Sequence, residues 1–373
     1  MIHVSNNYIS SSVHRSLIFR LAEDERQFVF VPIRTERDRN INFLNHENVK
    51  ITYLAYPDFI KYLPVFKVLF ISIIVFLAIR KIENGGEVLK ARPILGHNFW
   101  SDGVPAFFCA FYLKSKFCLV VRNTDINRFI PKLKYARPLM KLIIKKSSRL
   151  VFVSEAHRAR LREHWPRLYN AARRVQVIPN GVEDSWIDHV RKVGSGYGEE
   201  RPMSVAYLGK FNQNKNLKNL YLALSEINAR FFCKLILVGG NEGELKDLCG
   251  ISGSIPDWLE VKQWMGDQAE VAALLSNVRV FAMPSFRETF GLVFIEALCC
   301  GCSIVHSKGE GIDGFFNEKF VRGVDPSSVR EIESAIDDLL HQFPSGVGTG
   351  DVRRVTSRFD WSKVANDYRE ALS

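Results

Sequence analysis

Short apolar runs alternate with polar or amphipathic stretches along nearly the whole chain. In the first half Ile2 to Val4, Gln27 to Pro32, Ile51 to Ala55, Pro93 to Leu95, Leu119 to Val121 and Leu150 to Val153 have the length and apolar density of buried strands. Between them Val13 to Leu21 and Val104 to Tyr112 carry apolar residues at helical spacing, and Ser154 stands where a helix N-cap belongs. Strand, helix, strand in regular succession predicts βαβ units and a parallel sheet covered by helices on both faces.

The alternation then restarts. Val193 to Pro202 is rich in glycine and charge and reads as a linker, after which Ser204 to Leu208, Phe232 to Val238, Leu259 to Val261, Val278 to Met283 and Ser303 to His306 are expected strands. Leu217 to Asn228, Gln268 to Leu275 and Phe290 to Leu298 are expected helices, and Ser362 to Leu372 closes the chain with another, Asp360 or Ser362 being a plausible cap. The fold class expected is therefore α/β, with a domain over 1–190, a linker at 191–202, a second domain over 203–355 and a terminal helix at 356–373. A length of 373 residues suits two cores better than one.

Charge changes this picture in one respect. Residues 1–190 hold 30 Lys and Arg against 16 Asp and Glu, whereas 191–373 hold 21 against 24, so the whole excess of +11 originates in the first half. Such asymmetry points to an anionic partner for the first domain, whether anionic lipid, a polyphosphate-bearing acceptor or nucleic acid, with an anionic membrane surface the expected one. Aromatic residues form no stacking platform of the kind used by RNA-binding sheets, and no nucleic acid is expected. Leu63 to Ile79 is strongly apolar but interrupted by Lys67 and ended by Arg80 and Lys81; it is too short to span a bilayer, and it suits a helix lying at a membrane surface or a buried core helix. The seven cysteines sit mostly in apolar runs and read as reduced core residues of a cytoplasmic protein; Cys299 and Cys302 form a lone C-x-x-C without the second pair that a zinc site needs. The N-terminus lacks the pattern of a signal peptide.

The candidate chemistry follows from where loops leave strands. Ligands of α/β sheets bind at the carboxyl ends of the strands, and a helix opening there offers free N–H groups to an anion. Met283 to Gly301 has this form, with Glu288 in its loop and Glu296 on its helix. Lys210 and Lys215 leave the first strand of the second domain five positions apart and could grip a diphosphate. In the first domain His97, Asp102, Arg122 and Asp125 follow strands and are candidates for a ligand-facing wall. Neither G-x-x-x-x-G-K-S/T nor an early G-x-G-x-x-G is present, which argues against ATP hydrolysis and nicotinamide cofactors.

The string P-S-F-R-E-T-F-G-L-V-F-I-E-A-L-C-C-G, from Pro284 to Gly301, resembles the signature of retaining glycosyltransferases of family 4. H-N-F-W-S-D-G at His97 to Gly103, R-N-T-D-I-N at Arg122 to Asn127, and Gly309 to Gly314 resemble its bacterial surface-polysaccharide branch. The resemblance implies the GT-B architecture, two Rossmann-like domains facing across a cleft with a C-terminal helix crossing back to the first. It implies a UDP- or GDP-linked sugar as co-substrate and no other cofactor. Lysines and a helix end would take the place of a metal, in keeping with the lack of an Asp-x-Asp motif. Carried over residue by residue, it makes Glu288, Lys210 and Lys215 the catalytic set. Gly209, Lys210, Lys215, Gly239, Met265, Glu288, Thr289, Phe290, Gly291, Leu292 and Glu296 become the donor-binding set, and His97, Asp102, Arg122 and Asp125 face the acceptor. Many members have a Gly-Gly pair in the first loop; here the loop is Asn6 to Val13. The reading that results is a hexosyltransferase acting on a lipid-linked glycan at the inner face of the cell membrane. The alternatives are an epimerase of the same fold, a transferase with a soluble acceptor, or a non-catalytic anion-binding or nucleic-acid-binding protein.

Overall fold

The computed structural model of the chain describes residues 1–192 and 199–373. Two compact units emerge, one made of Met1–Gly181 with Trp361–Ser373, the other of Val182–Asp360. The first holds a seven-stranded sheet in the order β3-β2-β1-β4-β5-β6-β7. Its strands are β1 Ile2–Val4, β2 Gln27–Ile33, β3 Val49–Ala55, β4 Ile94–Gly96, β5 Phe117–Val121, β6 Arg149–Phe152 and β7 Val175–Val177. The second holds six strands in the order β10-β9-β8-β11-β12-β13, namely β8 Ser204–Leu208, β9 Lys234–Val238, β10 Leu259–Lys262, β11 Val280–Met283, β12 Ser303–Ser307 and β13 Val321–Val324. Every pairing is parallel, from Ile2 opposite Phe28 in the first sheet to His306 opposite Gly323 in the second. Parallel strands with both faces covered must be apolar along their length, and β2, β5, β11 and β12 are buried at every position.

The units divide at Gly181, earlier than the sequence places the break. The helix Asp184–Lys192 explains the difference, since Trp186, Ile187 and Val190 lie in the core of the second unit rather than the first. Of the expected linker at 191–202, residues 193–198 lie outside the described residues. At the other end, the helix Thr349–Thr356 also belongs to the second unit, and only Trp361 onward returns to the first.

That return is a packed helix. Trp361–Leu372 buries Trp361, Val364, Ala365, Tyr368, Ala371 and Leu372 in one cluster with Met1, Leu17, Leu21, Cys118, Val120, Val151 and Ile178. The thiol of Cys118 donates to the Ala371 carbonyl at 3.0 Å, and Arg369 donates to the Arg20 carbonyl at 2.8 Å. All seven cysteines are buried thiols.

Helix α1, Ser12–Ala22, packs beside this cluster; α2, Pro64–Asn84, and α3, Gly103–Leu113, lie together on the other core of the unit. Pro64 begins α2, where its missing N–H is harmless. Val68, Ile71, Ser72, Val75 and Ile79 form its buried stripe, while Phe66, Leu69, Ile73 and Leu77 on the opposite side are exposed. The segment thus has a core face and an apolar outer face. Among the described residues no helix is long and apolar enough to cross a membrane.

Gly181 allows the terminal helix to dock. A Cβ built on it would come within 2.3 Å of the Trp361 ring. Gly181→Ala is therefore expected to destabilise the first unit by about 1–3 kcal/mol, the ordinary range for overpacking. A lower melting midpoint with faster proteolytic release of the last 13 residues is the expected result; an unchanged midpoint would show that the indole moves aside freely.

Candidate functional site

In the second unit the loops at the carboxyl ends of β8 and β11 are tied together before any ligand arrives. Asn214 accepts through its carbonyl from the Phe286 N–H at 2.8 Å and donates from its side chain to the Arg287 carbonyl at 2.9 Å. Asn216 sits in the left-handed region at φ 57°, a conformation asparagine tolerates better than most residues. Its buried amide donates to the carbonyls of Pro284 and Pro326. Lys215 lies between these asparagines and pairs with Glu288 at 2.6 Å, both side chains largely buried. Glu288 is itself fixed: its Oε1 accepts the Thr289 N–H, and its own N–H donates to Glu310.

The helix that follows begins at Leu292, two residues later than the expected Phe290, and ends at Cys299. Gly291, at φ +81°, makes the turn into it, and a Cβ there would meet the Phe294 ring at 2.6 Å. Among the described residues no side chain caps this N-terminus, so its first N–H groups remain available to a ligand. Phe290 points away from any ligand role for its side chain, packing edge-on against Phe315 and Phe359.

A cavity of about 290 Å³ opens beside these elements, lined by Trp186, Leu208, Gly209, Val238, Trp264, Met265, Gly266, Gln268, Val271, Val293 and Glu296. Three predicted donor residues, Gly209, Met265 and Glu296, lie on its wall; Val238 lines it where Gly239 was expected. Burial, with Glu183 adding repulsion, raises the Glu296 carboxyl from its ordinary 4.5 to about 7. Lys210 is exposed and makes no ion pair among the described residues. The two lysines are therefore not equivalent: Lys215 is built into the loop junction and Lys210 is not. Sequence reading missed Trp186 and Trp264, which are far apart in the chain, and the paired asparagines, whose role depends on a loop 70 residues away.

In the first unit His97, Asp102, Arg122 and Asp125 do come together, but all four are buried. Asp125 accepts the backbone N–H groups of Phe99, Trp100 and Arg122. Asp102 accepts from the Asn98 amide, the Ser101 hydroxyl and the Asn6 N–H. Burial pushes these carboxyls up, Asp102 to about 7 and Asp125 to about 6. Arg122 donates to the His97 carbonyl, and His97 packs among His3 and His14, all three held neutral by burial. The four side chains expected to face an acceptor are thus enclosed by their own loops. Their neighbours Asn98, Trp100, Ser101, Thr124 and Arg128 line a cavity of about 300 Å³, and the buried acids hold Asn98, Trp100 and Ser101 in place. A strand-end acid reads the same in sequence whether it faces the ligand or braces the loop.

Residues 202–342 match the family model described as glycosyl transferases group 1. Glycogen synthase of Mycobacterium tuberculosis is 25% identical over 197 residues, 51% of this chain and 46% of the relative. Phosphatidyl-myo-inositol mannosyltransferase of the same organism is 26% identical over 201 residues, 51% of each. The chain thus spans about half the length of the curated relatives it matches. A solved structure described as trehalose-6-phosphate from E. coli bound with UDP-2-fluoro glucose superposes with a TM-score of 0.70 at 13% identity, covering 100% of this chain and 98% of that one. The fold is accordingly α/β with two parallel-sheet Rossmann-like domains, the GT-B class.

A carboxyl that titrates near 7 when folded and near 4.5 when unfolded binds its proton more tightly in the folded state. Its contribution to stability is lost as pH rises between those values. Glu296→Gln, neutral throughout, should gain on the wild type by about 2 kcal/mol between pH 5 and pH 8. Denaturant midpoints at the two pH values measure this, and a difference independent of pH would refute the raised carboxyl.

Proposed function

We propose that the chain is a retaining glycosyltransferase that uses a nucleotide sugar and needs no metal ion. The observation that carries this reading is the junction in the second unit, where Lys215, Glu288 and an uncapped helix N-terminus adjoin the cavity lined by Gly209, Met265 and Glu296. The match of 202–342 to glycosyl transferases group 1 supports it.

In this reading Glu296 takes the ribose hydroxyls, and the diphosphate meets the N–H groups at Leu292 and the ammonium of Lys215. Breaking the anomeric C–O bond loads negative charge on the departing diphosphate, and both groups stabilise that charge where it develops. The new C–O bond forms on the same face, and the acceptor hydroxyl passes its proton to the departing phosphate oxygen. Glu288 holds Lys215 in place until the donor arrives. Lys210, exposed at the rim, adds charge without fixed geometry.

The acceptor proposed is a lipid-linked oligosaccharide of a bacterial surface polysaccharide, reached by peripheral attachment at the cytoplasmic face of the membrane. The outer face of α2 and α3 supports attachment. Leu69, Ile73, Phe76, Phe108, Phe111 and Tyr112 border an apolar groove of about 670 Å³, with Phe111 83% exposed, and Arg80 and Lys81 lie at the end of α2. The relative that mannosylates phosphatidyl-myo-inositol is in keeping with a lipid acceptor.

Thermal melts with UDP, GDP and ADP test the donor. A ligand at a hundred times its dissociation constant should stabilise by about 2.7 kcal/mol. One diphosphate is expected to raise the wild-type midpoint and to leave Glu296→Ala unmoved; no shift with any would sink the donor assignment. Lys215→Ala should lower kcat by about 10²–10³, read as sugar transfer by mass spectrometry, and an unaltered kcat would remove Lys215 from the chemistry. Ile73→Asp with Phe111→Asp should abolish flotation with anionic vesicles while keeping the diphosphate shift. Continued flotation of that variant would rule out the α2–α3 face.

A further inference from the structure

The first unit carries more cationic charge around one pair of cavities than its own carboxylates answer. The cavity of about 300 Å³ behind Asn98, Trp100 and Ser101 adjoins another of about 290 Å³, and the two share Asn6, Asn7, Lys61 and Lys67 on their walls. Arg128 borders the one and Arg34 the other. The single acid on either wall is Asp38, whose Oδ2 accepts the N–H groups of Arg34 and Thr35 and is committed to that turn. Lys61 pairs with Asp58 at 2.6 Å. The side chains of Arg34, Lys67 and Arg128 form no ion pair among the described residues.

Lys67 is the informative member. It is half-buried, its ammonium lies 5.1 Å from the centre of the Tyr56 ring, and burial together with Arg34 presses its pKa below the ordinary lysine value. The nearest relief is the distant pull of buried Asp102. A partly desolvated ammonium among like charges is a costly arrangement unless an anion joins it. The walls also hold unused donors. The indole N–H of Trp100, a residue 1% exposed, has no partner among the described residues, and Asn7, Ser10 and Thr124 add polar groups. Asp102 braces this wall from behind through Asn6, Asn98 and Ser101.

We propose that this twin cavity binds the phosphate-bearing end of the acceptor, with Lys67, Arg34 and Arg128 as its anion contacts and Lys61 at the boundary between the two halves. The proposal rests on the transferase reading above and names the part of the acceptor that the first unit recognises. The chemistry required is a phosphate or diphosphate ester. The chain itself favours an amphiphile as the source: Lys67 stands on the wall of the cavity, and Leu69, Ile73 and Phe76 of the same helix line the apolar groove on α2 and α3.

Inorganic pyrophosphate is the soluble probe, titrated calorimetrically into Lys215→Ala and into wild type, Lys67→Met and Arg128→Ala, the last three first loaded with the nucleoside diphosphate that stabilises them. Neutral phosphatidylcholine vesicles with and without a prenyl diphosphate are the lipid probe. Pyrophosphate binding that falls about tenfold or more in Lys67→Met and Arg128→Ala, but holds in Lys215→Ala, supports the site. Capture by prenyl diphosphate vesicles that is lost in the same two variants identifies the lipid as the source; pyrophosphate binding without vesicle capture identifies a soluble phosphate ester. Equal affinity of all four proteins for both probes would overturn the proposal. A normal nucleoside diphosphate shift in Lys67→Met and Arg128→Ala shows that each is folded, so failure here is distinct from failure of the donor site.

Discussion

Every strand in both sheets runs parallel to its neighbours, and this constraint places the chemistry. A parallel sheet needs a crossover between successive strands, so each strand's carboxyl end opens into a loop on the same edge. Residues remote in sequence are thereby gathered: the loop after β1 meets the loop after β4 through the Asn6 N–H on Asp102, and the loop after β8 meets the loop after β11 through Asn214 and Asn216. The strand interiors are mostly apolar, with His3, Gln27 and His306 among the buried polar exceptions. What distinguishes one sheet from the other chemically is confined to these edges.

The two edges solve different problems of holding charge. In the second unit the exposed backbone of a short helix offers N–H groups, and the cation beside it, Lys215, is already matched by Glu288 at 2.6 Å. A matched cation does not destabilise the empty site, and an arriving anion has only to outcompete one carboxylate. In the first unit the acids are present but are placed behind the wall, where Asp102 and Asp125 satisfy backbone and side-chain donors instead of neutralising Lys67, Arg34 or Arg128. That edge is left electropositive by construction.

Much of this was legible in the sequence because apolar runs and their spacing report burial directly. Strands β1 to β6 and β8 to β12, the helix Leu217–Asn228 and the loop-to-helix element after β11 fell close to where the pattern put them, whereas the edge strands β7 and β13 were not among the expected ones. The pattern was blind to two kinds of fact. Helix Asp184–Lys192 has an apolar stripe that fits either domain, and only its packing assigns it to the second unit, which moves the division to Gly181. Residue type also cannot separate an acid that faces a ligand from one that braces a loop, as Asp102 and Asp125 show. The helix start was misplaced at Phe290 because phenylalanine fits the apolar rhythm, whereas the backbone of Gly291 interrupts it.

The basic excess of the first half gains a location from the same reasoning. Most of its lysines and arginines are scattered on solvated faces, where each is screened within about 8–10 Å by salt and contributes little to specific binding. Lys67 differs because its partial burial weakens that screening. Arg34 and Arg128 sit at the rim, where a bound anion could contact them without drawing them out of water. In the site proposed for the acceptor's phosphate, a gradient of solvation from rim to interior would let the anion enter hydrated and shed water as it meets Lys67. Charge at the surface then governs encounter, and charge in the interior governs retention.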